Sequence, residues 1–209
     1  MAINYQNLKK IQTDLSNFSE TSLMIVTKKQ PQSEVIELIN KGFNFFGENK
    51  VQEMHKKFFS LKKKYNFKIH LIGPLQSNKV KLSLSIADGI QSLDRVKLVD
   101  EILKHLNDQS VTKEFFIQIN IGKEIQKSGI LPDSAPSFYE YCLKKNLPIS
   151  GLMCIPPNVI DPSDYFNEMI NLRDKLNKKL KLSMGMSNDY NYALNNQSNI
   201  LRIGSLIFA

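Results

Sequence analysis

The 209 residues carry 28 basic against 20 acidic side chains, a formal charge of +8, and 42% of them are hydrophobic. That content supports a sizeable core and excludes a disordered chain, while the short apolar runs exclude a membrane helix, which needs roughly 20 consecutive apolar residues. Two cysteines, Cys142 and Cys154, exclude a disulfide scaffold and a four-cysteine zinc site.

The opening MAINYQNLKKIQTDL has no apolar core and no small-residue cleavage site, so no secretory leader is expected and a reducing cytoplasm is the expected home. Residues 2–18 read as a helix ahead of the first strand. SLMIV (22–26) is the first strand, followed by PQSEVIELINKG (31–42), with Pro at its first turn and Gly at its end, the helix asymmetry. FNFFG (43–47) leads into the helical KVQEMHKKFFSLKKKY (50–65), and IHLIG (69–73) and GIQSL (89–93) come next as strands. RVKLVDEILKHL (95–106) is helical, FFIQINI (115–121) a strand, DSAPSFYEYCLKKN (133–146) a helix and ISGLM (149–153) a strand. PSDYFNEMINLRDKLNKKL (162–180), LSMGM (182–186), NDYNYALNNQ (188–197) and ILRIG (200–204) continue the alternation. Strands separated by crossovers at about 25 residues per unit imply parallel pairing and one (β/α)8 TIM barrel over 1–209, with an extra N-terminal helix. A doubly wound open sheet is the alternative, but the first strand–helix turn, TKKQP, lacks the glycine pattern of a dinucleotide site.

Barrel chemistry sits on the loops that follow the strands. Loops after the seventh and eighth strands commonly build a phosphate site. There Ser187, just before the 188–197 helix, offers an N-cap-like hydroxyl. Gly204 lets backbone N–H groups approach an anion, with Ser205 beside it. Singly these are a cap and a turn; together, at those two positions, they point to phosphate. The first strand delivers Lys28 and Lys29 to the same mouth, where a desolvated lysine can form a Schiff base. Periodicity does not choose between the two.

All but three basic residues are lysine, the exceptions being Arg95, Arg173 and Arg202. Bidentate grip on phosphates and bases favours arginine, so the lysines read as solvated surface and nucleic acid is not the expected partner. His55, His70 and His105 are scattered, so no metal site is expected. Cys154 reads as a packed thiol near the mouth and Cys142 as helix packing.

FGENKVQE (46–53) and HLIGPLQSNKVK (70–81) resemble the signature segments of the YggS/PROSC family of pyridoxal phosphate homeostasis proteins. QSLDR (91–95), IQINIGKEIQKSGI (117–130), GLMCIPP (151–157), LSMGMSND (182–189) and RIGSLIF (202–208) follow in family order, so the resemblance spans nearly the whole chain. It implies the barrel of alanine racemase without its second, β-rich domain, holding pyridoxal 5′-phosphate (PLP) as an internal aldimine. Val26–Thr27–Lys28 matches the family's V-[ST]-K, which places the Schiff base on Lys28. The resemblance gives Asn49, Ser187, Gly204 and Ser205 as further cofactor contacts, Ser205 standing where many members have threonine. Arg202 matches the arginine that faces the pyridine nitrogen; always protonated, it would keep that nitrogen unprotonated and the ring a weak electron sink. The alternative for Arg202 is a structural ion pair, and for His70 a core histidine satisfied by a neighbour.

A racemase needs an acid–base group on each face of the substrate Cα. The sequence ends at Ala209, so no second domain is expected to supply one, and Tyr190 and Tyr192 read as helix residues. The function implied is a non-enzymatic PLP carrier and buffer, monomeric, off the membrane, with PLP-dependent apo-enzymes as recipients. A low-activity amino-acid racemase is the alternative. A basic nucleic-acid binder, resting on KKFFSLKKKY (56–65), ranks third.

Overall fold

A run such as Gly89–Leu93, buried at every position, fits only a sheet covered on both faces. The computed structural model describes residues 2–106 and 113–208 and shows where such runs go. The strands are β1 (Ser22–Val26), β2 (Phe45–Glu48), β3 (Lys68–Leu71), β4 (Gly89–Leu93), β5 (Glu114–Ile119), β6 (Gly151–Cys154), β7 (Lys181–Ser183) and β8 (Ile200–Ile203). Each pairs in parallel with the next, and β8 returns to β1 through Ser22↔Ile200 to Ile25↔Ile203, closing an eight-stranded barrel. The open-sheet alternative is thereby excluded.

The helices are α1 (Tyr5–Leu15), α2 (Gln32–Asn40), α3 (Val51–Phe58), α4 (Val80–Leu84), α5 (Val96–His105), α6 (Ala135–Lys144), α7 (Ser163–Leu176) and α8 (Tyr190–Asn195). The extra helix α1 is capped by Asn4, whose side chain accepts from the Asn7 N–H. It is tied to the chain end by Asn7 Nδ2 donating to the Leu206 carbonyl and to α8 by Tyr190 Oη donating to Asp14.

Alternation along the strands separates two apolar populations. Ile25, Ile117, Leu152 and Leu201 belong to the main core, which packs the strands against the helices. Their neighbours Met24, Phe116, Met153 and Ile200 form a second cluster that fills the barrel interior.

Beyond shifts of a few residues at the ends of several strands and helices, three elements differ from the sequence expectation. The helix α4 was absent from it because five residues with Val80, Ser83 and Leu84 buried are too few to display a helical period. The 50–65 helix stops at Phe58 and resumes as a 3₁₀ turn at Leu61–Lys63. The last helix begins at Tyr190 with Asp189 as its N-cap, so Ser187 does not cap it. The terminal Ala209 lies outside the described residues. Among the described residues, no helix is long and apolar enough to cross a membrane.

Candidate functional site

Closure of β8 on β1 makes the exits of β7, β8, β1 and β2 a contiguous arc of the C-terminal mouth. The Thr27 N–H donates to the Gly47 carbonyl at 3.0 Å, which ties the segment carrying Lys28 to the strand carrying Asn49. Gly204 follows β8 so closely against β1 that a Cβ there would lie 2.9 Å from the Val26 carbonyl oxygen. The Ser187 hydroxyl accepts from the Leu206 N–H at 3.2 Å, joining the β7 exit to the β8 exit. Lys28, Asn49, Ser187, Gly204 and Ser205 thus gather on one arc, with Lys28 and Ser205 exposed and the other three half-buried. Because α8 has only six residues and starts beyond Ser187, what this arc offers an anion is loop N–H groups and hydroxyls rather than a helix terminus.

Arg202 lies two residues deeper on β8 and is only 4% exposed. Its Nη1 donates to Ser183 Oγ at 2.9 Å and its Nη2 to the Cys154 carbonyl at 2.7 Å. No carboxylate pairs with it among the described residues, so the structural ion pair is not what the fold builds. Burial draws its pKa below the ordinary value, yet a guanidinium stays charged in proteins. A buried cation bonded only to neutral oxygens retains unused donors and gains from an acceptor on a ligand.

The segment around Lys28 is held from below by a group that the sequence analysis missed. Lys57, from α3, is 6% exposed and donates to the Thr27 carbonyl at 2.6 Å and to Glu48 Oε1 at 2.5 Å. It also reaches Glu53 Oε1 at 3.2 Å. Thr27 Oγ1 donates to the same Glu48 oxygen at 2.8 Å, and Glu53 Oε1 accepts the Lys29 N–H at 2.5 Å. Lys28 is therefore bracketed, with Thr27 tied to Glu48 and Lys57 and Lys29 tied to Glu53. Lys29 itself takes a left-handed φ of 62°, which turns the chain into α2. Burial pushes the Glu48 carboxyl above its usual range and outweighs the pull of Lys57, and its Oε2 has no hydrogen-bond partner. The available signal was the i, i+4 pair Glu53–Lys57 inside FGENKVQEMHKK. It was lost because Lys57 sits in a lysine-rich run in which Lys56, Lys63 and Lys64 are exposed.

The remaining candidates fall where packing puts them. Cys154 is fully buried and its thiol is pushed up to about 12, and Cys142 to about 11, so neither is a thiolate nucleophile. Among the described residues no cluster of His, Cys, Asp or Glu has the makings of a metal site. Tyr190 is committed to Asp14 at 2.7 Å, away from the mouth. His70 is a buried core histidine, its Nδ1 3.1 Å from Gln91 Nε2. A cavity of about 770 Å³ opens at the opposite, N-terminal end, lined by strand-start residues including Lys68, Glu114 and Lys181.

The chain is 38% identical over 195 residues to the pyridoxal phosphate homeostasis protein of Aquifex aeolicus, covering 89% of this chain and 85% of that protein. Its fold is that of PipY from Synechococcus elongatus solved without PLP, with a TM-score of 0.87 and 25% identity over 98% of this chain and 99% of PipY. Alanine racemase from Corynebacterium glutamicum shares the fold at a TM-score of 0.72 and 11% identity, the match covering 99% of this chain and 62% of the racemase. No protein-family model matches the chain.

Proposed function

The chain belongs to the family of pyridoxal phosphate homeostasis proteins, and on that premise we propose that it binds PLP at the β7–β8–β1–β2 mouth and acts as a carrier and buffer of the cofactor. When bound, PLP supplies an aldehyde that condenses with a primary amine and releases water. Lys28 offers that amine from an exposed position on a turn fixed at both neighbours. Ser187, Ser205 and the Gly204 backbone face a phosphate, and Asn49 flanks it from β2. Arg202 donates from within the barrel to the unprotonated ring nitrogen.

The observation that carries this reading is the buried Arg202 guanidinium, held by two neutral oxygens just below the arc that bears Lys28. Its positive charge opposes protonation of the ring nitrogen and so weakens the cofactor as an electron sink. A racemase would also need a second acid–base group. Tyr190, which follows the β7 exit in the chain, is spent on Asp14, and its pKa is raised to about 12 by burial first and by that hydrogen bond second. Binding without turnover is what these residues support. One barrel domain over 1–209, a monomeric state, a cytoplasmic home and apo-enzymes as recipients complete the proposal.

The test is deuterium incorporation. PLP-loaded protein incubated with amino acids in D₂O is expected to show no Cα exchange above that of the same concentration of free PLP. Exchange that exceeds this level and disappears in Lys28→Ala would replace the carrier reading with the racemase one.

A further inference from the structure

Four buried polar side chains cross the barrel interior in a line. Arg202 Nη1 on β8 donates to Ser183 Oγ on β7 at 2.9 Å, and Ser183 Oγ donates to Gln91 Oε1 on β4 at 2.7 Å. Gln91 Nε2 then lies 3.1 Å from His70 Nδ1 on β3. Ser183, Gln91 and His70 are fully buried. The interior around them is filled by Met24, Phe116, Met153 and Ile200, so apolar packing was the available alternative. An apolar set would avoid the cost of desolvating four polar groups, which leaves orientation as the reason for keeping them.

The line has one consistent polarity. With its oxygen occupied by Ser183, Gln91 turns its amide N–H₂ toward His70, so Nδ1 accepts and the imidazole proton sits on Nε2. The ring fits because Gly89 lies beneath it, where a Cβ would fall 2.6 Å from the imidazole. Since the Ser183 proton is committed to Gln91, its lone pairs face Arg202 and can only accept. Together with the Cys154 carbonyl at 2.7 Å on Nη2, this fixes both terminal nitrogens and hence the plane of the guanidinium.

We propose that Gln91 and His70, which touch no ligand themselves, are positioning residues that hold the Arg202 plane so that its unused N–H donors meet the ring nitrogen of bound PLP. This inference rests on the PLP reading above. It extends that site across the barrel to strands that contribute nothing to the mouth arc.

The test compares PLP with its 1-deaza analogue, in which a C–H replaces the ring nitrogen and the aldehyde and phosphate are unchanged. Wild type is expected to bind PLP roughly tenfold or more tightly than the analogue, the worth of one charge-assisted hydrogen bond. Gln91→Leu, with its fold checked by circular dichroism, is expected to bind both ligands within about twofold of each other. A merely structural role for Gln91 would weaken both ligands equally and leave the ratio intact. If Gln91→Leu does not fold, Ser183→Ala cuts the same line and carries the same expectation. Wild-type discrimination that persists in these variants overturns the positioning role and leaves the PLP reading standing. Wild type that binds both ligands equally overturns the pairing of Arg202 with the ring nitrogen and this inference with it. Wild type that binds neither overturns the PLP reading itself.

Discussion

Replacing Lys57 by methionine is expected to destabilise the fold by about 3–5 kcal/mol, the effect of removing one partner from a buried ion pair. For a barrel of this size that is a fall in melting temperature on the order of 10 °C. Methionine keeps the volume but leaves the fully buried Glu48 with only the Thr27 hydroxyl, and leaves the Thr27 carbonyl without its 2.6 Å donor. Glu53, 28% exposed, can turn to water and adds little to the loss. Adding Glu48→Gln removes the stranded charge and is expected to recover part of the stability, with a coupling above about 1 kcal/mol in the double-mutant cycle. Thermal unfolding of the two single variants and the double variant measures both terms. A Lys57→Met protein as stable as wild type would mean that the ammonium does not hold the Glu48 carboxylate. Because the same contacts bracket Lys28, the affinity for PLP is expected to fall with the stability.

The second large effect is acid sensitivity set by His70. Burial lowers its pKa to about 4 from the usual 6.5, and Nδ1, the nitrogen that a second proton would fill, already accepts from the Gln91 amide. The sign follows from proton uptake: below pH ~6.5 the unfolded chain binds a proton on this residue and the folded chain does not, so stability falls as pH drops. The contribution is complete at pH 7, declines through the window from about 6.5 to about 4, and amounts to about 3 kcal/mol in all. Urea unfolding at a series of pH values between 7 and 5 detects the part that precedes carboxylate protonation. Relative to wild type, His70→Gln is expected to flatten that slope. An unchanged slope would show that His70 does not carry it.

Much of the architecture was written in the sequence as alternation. Ser22–Val26 and Gly89–Leu93 begin and end where the sequence places them, because strands packed inside a barrel are predominantly apolar and stand out as short runs between helical segments. The helix α4 was not legible, since its burial depends on strands brought together by closure and not on a local period. The mouth arc was anticipated from barrel logic and family motifs. Only the capping role of Ser187 was displaced, because Asp189 takes the N-cap and Ser187 is drawn to the Leu206 N–H across a chain separation that no local pattern encodes. Lys57 and Gln91 were missed for a related reason. One looked like every other lysine and the other like a strand glutamine until the barrel set them beside Glu48 and Ser183.

The most direct measurement is peptide mapping after borohydride reduction of the PLP-loaded protein. With 25 lysines among its 28 basic residues, the chain offers many competing amines, so the position of the label decides the matter. One phosphopyridoxyl group on the peptide bearing Lys28, absent from that peptide in Lys28→Ala, is the predicted result. A label on Lys29, or scattered over surface lysines with no preference for Lys28, would contradict the site described.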